Sequence, residues 1–145
     1  MEKTKLLKAL LAVHGRCVIT ITGGSMLPIL QHGQDVTVLR QSDYKPGEIL
    51  VYAYKEEGLL AHRLLKWEND RYFCKGDHSF RIKDITGEQI LGKIDLAQDP
   101  HNTDAFIRAS YSIGRLFRKC GYNPDITKAH PLYVEYAHTY LGENL

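Results

Sequence analysis

The chain has 145 residues, of which 43% are hydrophobic and 25% are charged, and its formal net charge is +2. This length suits one domain with a buried core, and the composition is that of a globular protein rather than a disordered one. A charge of +2 is too small to indicate binding to nucleic acid, so no nucleic-acid partner is expected.

The cysteines and histidines give no sign of a disulfide framework or a metal site. Three cysteines, Cys17, Cys74 and Cys120, are odd in number and lie far apart in the chain. An odd number of widely spaced cysteines is typical of proteins in a reducing compartment, and we expect a cytoplasmic protein. Neither C-x-x-C nor H-E-x-x-H occurs, so the seven histidines indicate no metal and no cofactor is expected.

The first predicted element is an amphipathic helix over residues 2–14, ended near Gly15 by a C-cap. Its apolar run over residues 6–13 is short and is interrupted by Lys8, whereas a membrane-spanning helix needs roughly 20 apolar residues. We therefore expect no transmembrane segment. The lysines of this helix can contact a membrane surface, but we favour an ordinary helix packed on the domain because interfacial anchors are rarer.

Short β-rich runs separated by polar turns follow. Strands are predicted over residues 17–22, 35–40, 48–55, 59–67, 71–74 and 90–94, the last of them closing the sheet. Closely spaced short strands of this kind favour a mainly β body, in the form of a barrel-like or coiled sheet.

The pattern becomes helical from about Asp104. Apolar residues recur at helical spacing up to Cys120, with Thr103 or Asp104 as N-cap and Gly121 after the helix end. The opposite face carries a basic stripe, which we interpret as solvated rather than as a contact for an acidic partner. A tyrosine-rich segment after Pro131 can form a final helix. We expect one α+β domain over 1–145: an N-terminal helix (1–15), a β-rich body (16–95) and a C-terminal helical extension (96–145).

The segment Gly23-Gly24-Ser25 presents a serine hydroxyl directly after the first predicted strand. The two glycines allow a sharp backbone path and the close approach of a substrate chain. Pro28 then fixes φ and favours a turn or short helix just beyond the serine. A hydroxyl presented in this way can act as a nucleophile once a base lies beside it.

The best candidate for the base is His62, which faces opposite to Ala61 and Arg63 in its predicted strand. An unperturbed histidine titrates at about 6.5, so it can accept a proton at pH 7, and activity should rise with pH through that range. Asp77 and Asp84 follow, and a carboxylate that orients the imidazole would complete a Ser-His-Asp arrangement. Each of these residues alone also has an ordinary structural explanation.

Six segments, taken in order, resemble those of the type I signal peptidase and LexA-like serine peptidase superfamily. They lie at residues 23–28, 35–38, 45–52, 61–63, 73–77 and 90–94. The resemblance implies a β-rich body that cuts peptide bonds with a serine. Bacterial-type signal peptidases and LexA-like proteins use a lysine as the base, whereas the histidine before Arg63 is similar to the endoplasmic-reticulum and archaeal type. In that type an aspartate supports the histidine: Asp77 matches the motif position, and Asp84, which we slightly favour, approximates a downstream acidic site.

The chain departs from the family pattern in three respects. Gly23 stands where many signal peptidases carry a second serine that helps bind the oxyanion of the reaction. In this chain, backbone N–H groups would therefore form most of the oxyanion hole. The membrane anchor of the family is not expected here. Residues 104–145 have no counterpart in the family and are a candidate surface for a substrate or partner.

The expected function is that of a soluble serine endopeptidase that cleaves a precursor or leader peptide or a protein, which could be its own chain. An extended substrate would pair with an exposed strand edge. Candidate substrate-binding residues are Gly24, Met26, Leu27 and Tyr52, for which packing in the core is an equal alternative. The second hypothesis is a non-catalytic peptide-binding or regulatory module that retains the fold. A DNA-binding repressor is not supported, because no helix-turn-helix segment precedes the peptidase-like region.

Overall fold

A seven-stranded antiparallel sheet forms the body of the protein. The computed structural model describes residues 2–143, apart from the side chains of Glu2 and Glu56. The strands are β1 (Arg16–Thr20), β2 (Asp35–Leu39), β3 (Ile49–Tyr54), β4 (Gly58–Glu68), β5 (Arg71–Lys75), β6 (Lys83–Thr86) and β7 (Ile90–Asp95). Their order across the sheet is β1-β2-β7-β3-β4-β5-β6, and the sheet curls into a half-barrel.

Helices lie before and after the sheet, as predicted. They are α1 (Glu2–His14), α2 (Asp104–Lys119), α3 (Pro124–Ala129) and α4 (Pro131–Tyr136), and a π-helical turn over Ala137–Leu141 follows α4. The Thr103 side chain caps α2 by accepting a hydrogen bond from the Phe106 N–H, and Gly121 has a φ of 65° after the end of α2. The mainly β, α+β class predicted from the sequence is confirmed.

Two details of the sheet differ from the prediction. The last strand, β7, does not close the sheet but lies between β2 and β3. The sequence analysis missed β6, because this strand holds one apolar residue, Ile85, among polar ones, so its alternation is too short to detect. Ile85 is nevertheless fully buried against the neighbouring strands.

The two faces of the central strands bury different sets of apolar residues. One face packs beneath α1, and this α1 core includes Leu7, Leu11, Met26, Val36, Val38, Ile49 and Val51. The other face forms an inner cluster of Leu50, Tyr52, Leu64, Cys74 and Ile85. Since side chains alternate along a strand, Ala61 packs on the α1 core and His62 pairs with Leu50 on the inner-cluster face. Two predictions are thus confirmed: the N-terminal helix packs on the domain, and the side chain of His62 lies on the face of the sheet opposite to that of Ala61.

A buried cluster of charged groups joins the sheet to the segment before α2. The guanidinium of Arg63, which is fully buried, contacts Asp77 at 2.9 Å and Asp99 at 2.7 Å. His101 Nδ1 lies 2.8 Å from the same Asp77 carboxylate. Burial alone would raise the pKa of Asp77, but the hydrogen bonds from His101 and Arg63 hold it below its usual range. The carboxylate of Asp77 is therefore ionised and bound by Arg63 and His101 within this cluster.

Replacing Arg63 with Met should destabilise the fold by about 3–5 kcal/mol, because it leaves two carboxylates without their cation in a buried site. Urea unfolding measures the loss. Arg71→Met is the matched control: Arg71 also pairs with an aspartate, Asp84, but that pair is exposed and should contribute less than about 1 kcal/mol. Equal losses in the two variants would contradict the structural role given to Arg63.

Candidate active site

Ser25 lines a groove of about 730 Å³ bounded by α1, β1 and the beginning of β4. Residues 17–23 supply one wall, and Val51 and Ala61 lie among the lining residues from the central strands. Most of the lining side chains are apolar. Ser25 therefore faces a groove that can hold a peptide with apolar side chains.

The glycines before Ser25 give its turn the sharp path that was predicted. Gly23 has a φ of 80°, a conformation that favours glycine, and its N–H donates to His32 Nδ1 at 2.9 Å. The Leu27 N–H closes the turn on the Gly24 carbonyl at 3.2 Å. The N–H of Ser25 itself donates to no acceptor within residues 2–143. It remains available to a bound oxygen atom.

Gly76, directly after β5, packs against the backbone of Ser25. The register of β4 and β5 pairs Arg63 with Lys75, and continuing it by one residue puts Gly76 opposite His62. A Cβ atom added to Gly76 would lie 2.6 Å from the Ser25 carbonyl oxygen and 3.1 Å from Ser25 Cβ. Cross-strand partners point their side chains to the same face. Ser25 therefore occupies the space that a side chain at position 76 would fill, and the His78 N–H donates to the Ser25 carbonyl at 2.8 Å.

The His62 imidazole is held by one neighbour and is 5% exposed. Its Nδ1 lies 2.8 Å from the Tyr52 hydroxyl, and the two rings meet edge to face with centroids 5.9 Å apart. Burial, followed by the positive charges of Lys83 and Lys75, lowers the pKa of His62 to about 4. The ring is therefore neutral at pH 7, as a base must be.

The reactive atoms of Ser25 and His62 both keep contact with solvent. Among the described side chains, Thr4 Oγ1 is the one buried polar atom without a hydrogen-bond partner. Neither Ser25 Oγ nor His62 Nε2 has a partner among these residues, and no hydrogen bond joins the two, so each must be partly exposed.

Neither candidate aspartate binds the histidine. Asp84 is exposed and pairs with Arg71 at 3.1 Å, while Asp77 binds Arg63 and His101. Within the part of the chain that the structure describes, no hydrogen bond joins either carboxylate to His62. The expected contact between an aspartate and the imidazole is not formed. Asp84 alternates with Ile85, which packs in the inner cluster, so Asp84 lies on the other face of the sheet from His62, and Asp77 is bound by Arg63 and His101.

Comparisons with known proteins assign no family to this chain. No family model matches the sequence, and no curated protein matches it. The resemblance to signal peptidases therefore depends on the six sequence segments alone. Within residues 2–143, no helix has the length and apolar character needed to cross a membrane.

The four candidate substrate-binding residues have different surroundings. Met26 lines the groove but is buried in the α1 core, where its Sδ accepts the Asp77 N–H at 3.4 Å. Gly24 and Leu27 contact each other beside the groove, where a Cβ on Gly24 would meet Leu27 Cδ1 at 3.1 Å. Tyr52 is fully buried on the inner-cluster face and so does not line the groove. Its hydroxyl instead lies 2.8 Å from His62 Nδ1.

The sequence analysis missed a buried amine near the serine turn. Lys75 is fully buried and donates to Ser110 Oγ at 2.9 Å and to the Gly76 carbonyl at 3.1 Å. Burial lowers the pKa of Lys75 to about 7. No local pattern in the sequence indicates this burial, because it depends on α2, which is distant in sequence and supplies Ser110.

The depressed pKa of His62 predicts a specific acid sensitivity of the fold. The unfolded chain binds a proton at His62 below about pH 6.5, but the folded chain does so only below about pH 4, so stability falls as pH decreases through this window. Between pH 6.5 and pH 4, the free energy of unfolding of His62→Gln, measured with urea, should fall by about 3 kcal/mol less than that of the wild-type protein. The exposed His138, replaced in His138→Gln, provides the control. A His62→Gln variant with the wild-type pH dependence would show that His62 is not buried in its neutral form.

Proposed function

We propose that this protein is a serine endopeptidase of the signal-peptidase and LexA-like type, with Ser25 as nucleophile and His62 as general base. The observation that carries the proposal is the packing of Ser25 on Gly76, beside a groove lined mainly by apolar side chains. Gly76 is the residue opposite His62 when the register of β4 and β5 is extended by one position. The six sequence segments support the same assignment. The substrate class is a precursor or leader peptide bound in extended form.

The reaction passes through an acyl-enzyme. Ser25 Oγ attacks the carbonyl carbon of the scissile bond while His62 Nε2 accepts the hydroxyl proton. The tetrahedral intermediate then collapses, the C–N bond breaks, and His62 returns the proton to the leaving amine. Water, activated by the same nitrogen, hydrolyses the ester on Ser25 and frees the second product. Each step uses the one imidazole nitrogen of His62 that keeps contact with solvent.

The oxyanion that forms during this reaction needs hydrogen-bond donors at the serine turn. The Ser25 N–H is one such donor, since no described residue accepts its hydrogen bond. Gly23 supplies no side-chain hydroxyl for this purpose. Loss of one donor typically lowers the rate by about a hundredfold or more, so we expect slow turnover suited to one specific cleavage.

The groove suits a peptide strand with apolar side chains. β1 is an edge strand of the sheet, so the backbone groups on its outer side can pair with an added strand. Val51 and Ala61, from the face covered by α1, line the groove beside β1. An extended substrate would therefore gain affinity from backbone hydrogen bonds and selectivity from alternate side chains that enter this apolar space.

Labelling by an alkyl fluorophosphonate tests the nucleophile without knowledge of the natural substrate. Ser25 Oγ would displace fluoride from phosphorus, with His62 accepting the proton, and intact-mass spectrometry would detect the adduct. Ser25→Ala and His62→Ala should each abolish labelling, whereas the exposed Ser42→Ala should label at the wild-type rate. With a base of pKa about 4, the labelling rate should rise with pH through about 4 and be level from pH 5 to 8. This corrects the higher range that an unperturbed histidine predicts.

Two outcomes would contradict the proposal. Labelling of His62→Ala at the wild-type rate would remove His62 as base. A wild-type protein that takes up no label but binds extended peptides would favour the alternative, a non-catalytic peptide-binding module.

A further inference from the structure

We propose that Tyr52 is the positioning residue of this site, its phenolic oxygen accepting a hydrogen bond from the Nδ1–H of His62 in the place of an aspartate. This inference rests on the proposed function, in which His62 Nε2 is the base. It identifies the third member of the site as a tyrosine from the neighbouring strand.

The contact between the two side chains is close and buried. Tyr52 Oη lies 2.8 Å from His62 Nδ1, with Tyr52 fully buried and His62 5% exposed. The strand register pairs Leu50 with His62 and Tyr52 with Leu60. Tyr52 is therefore two residues along β3 from the partner of His62, and it is the diagonal neighbour of His62 on the same face of the sheet. The edge-to-face packing of the two rings limits rotation of the imidazole. The imidazole plane is thus fixed by a neighbour that is itself immobile.

The direction of this hydrogen bond follows from the proposed chemistry. A neutral imidazole carries one proton, and a base that acts through Nε2 must carry it on Nδ1. The Nδ1–H then donates, and the tyrosine oxygen accepts. The opposite arrangement, in which the hydroxyl donates to Nδ1, would put the proton on Nε2 and remove the lone pair that Ser25 needs.

A phenol differs from a carboxylate in what it does for the histidine. An aspartate would both orient the ring and stabilise the imidazolium that forms during the reaction. Neutral Tyr52 can orient the ring but adds no negative charge, and burial raises its own pKa so that it stays protonated. The aspartates found by the sequence analysis are used elsewhere in the fold, which leaves Tyr52 as the group at Nδ1.

The experiment combines nitrogen NMR with labelling. In wild-type protein labelled with ¹⁵N-histidine, spectra at pH 7 should place the proton of the neutral His62 ring on Nδ1. Tyr52→Phe, which removes one oxygen atom and keeps the ring, should shift the tautomer population toward Nε2–H. It should also lower the rate of fluorophosphonate labelling about tenfold, the effect of one hydrogen bond. Tyr54→Phe is the matched control: Tyr54 lies two residues along β3 and packs edge-on to Tyr52 at 6.1 Å.

The outcomes separate this inference from the peptidase proposal. Labelling of Tyr52→Phe at the rate of Tyr54→Phe would overturn the role of Tyr52 and leave the peptidase proposal standing. A proton on Nε2 in the wild-type protein would overturn both the role of Tyr52 and that of His62 as base. A wild-type protein without any labelling would overturn both this inference and the peptidase proposal. The tautomer measurement needs only the wild-type protein, so it decides the question even if Tyr52→Phe fails to fold.

Discussion

The close contact between Ser25 and Gly76 is the constraint on which the rest of the candidate site depends. A side chain at position 76 would collide with the Ser25 carbonyl, so only glycine lets the serine turn rest on the strand pair opposite His62. The residues after Gly76 are fixed from the other side: Arg63 binds the Asp77 carboxylate, and the Tyr136 hydroxyl donates to the Asp77 carbonyl at 2.6 Å. The C-terminal helices thus help to hold the serine turn, although they lie outside the segments that resemble peptidases.

Local patterns in the sequence were sufficient to predict α1, α2 and six of the seven strands, because their periodicity and caps are encoded within each segment. They were also sufficient to single out Ser25 and to place His62 opposite to Ala61. The position of β7 between β2 and β3 could not be predicted, since strand order depends on contacts between distant segments. The partner of His62 was missed for the same reason: Tyr52 meets it only through the register of β3 and β4.

Charge burial divides the polar residues of the sheet between two tasks. Arg63 and Asp77 form a satisfied ion pair, and their contacts with Asp99 and His101 join the sheet to the segment before α2, so these charges have a structural role. His62 is buried without a countercharge, which keeps it neutral and makes it a weak base. In the proposed peptidase, a weak base, a neutral orienting group and an oxyanion hole made of backbone N–H groups would suit one slow cleavage rather than rapid general proteolysis.

The most direct measurement is a crystal structure of the protein after reaction with an alkyl fluorophosphonate. We expect a covalent adduct on Ser25 Oγ, with His62 Nε2 within hydrogen-bond distance, about 3 Å, of the bonded oxygen. We also expect that the alkyl group points into the groove between β1 and β4. An adduct on another residue, or a His62 ring more than about 7 Å from Ser25 Oγ, would contradict the account, because no proton could pass directly between the two.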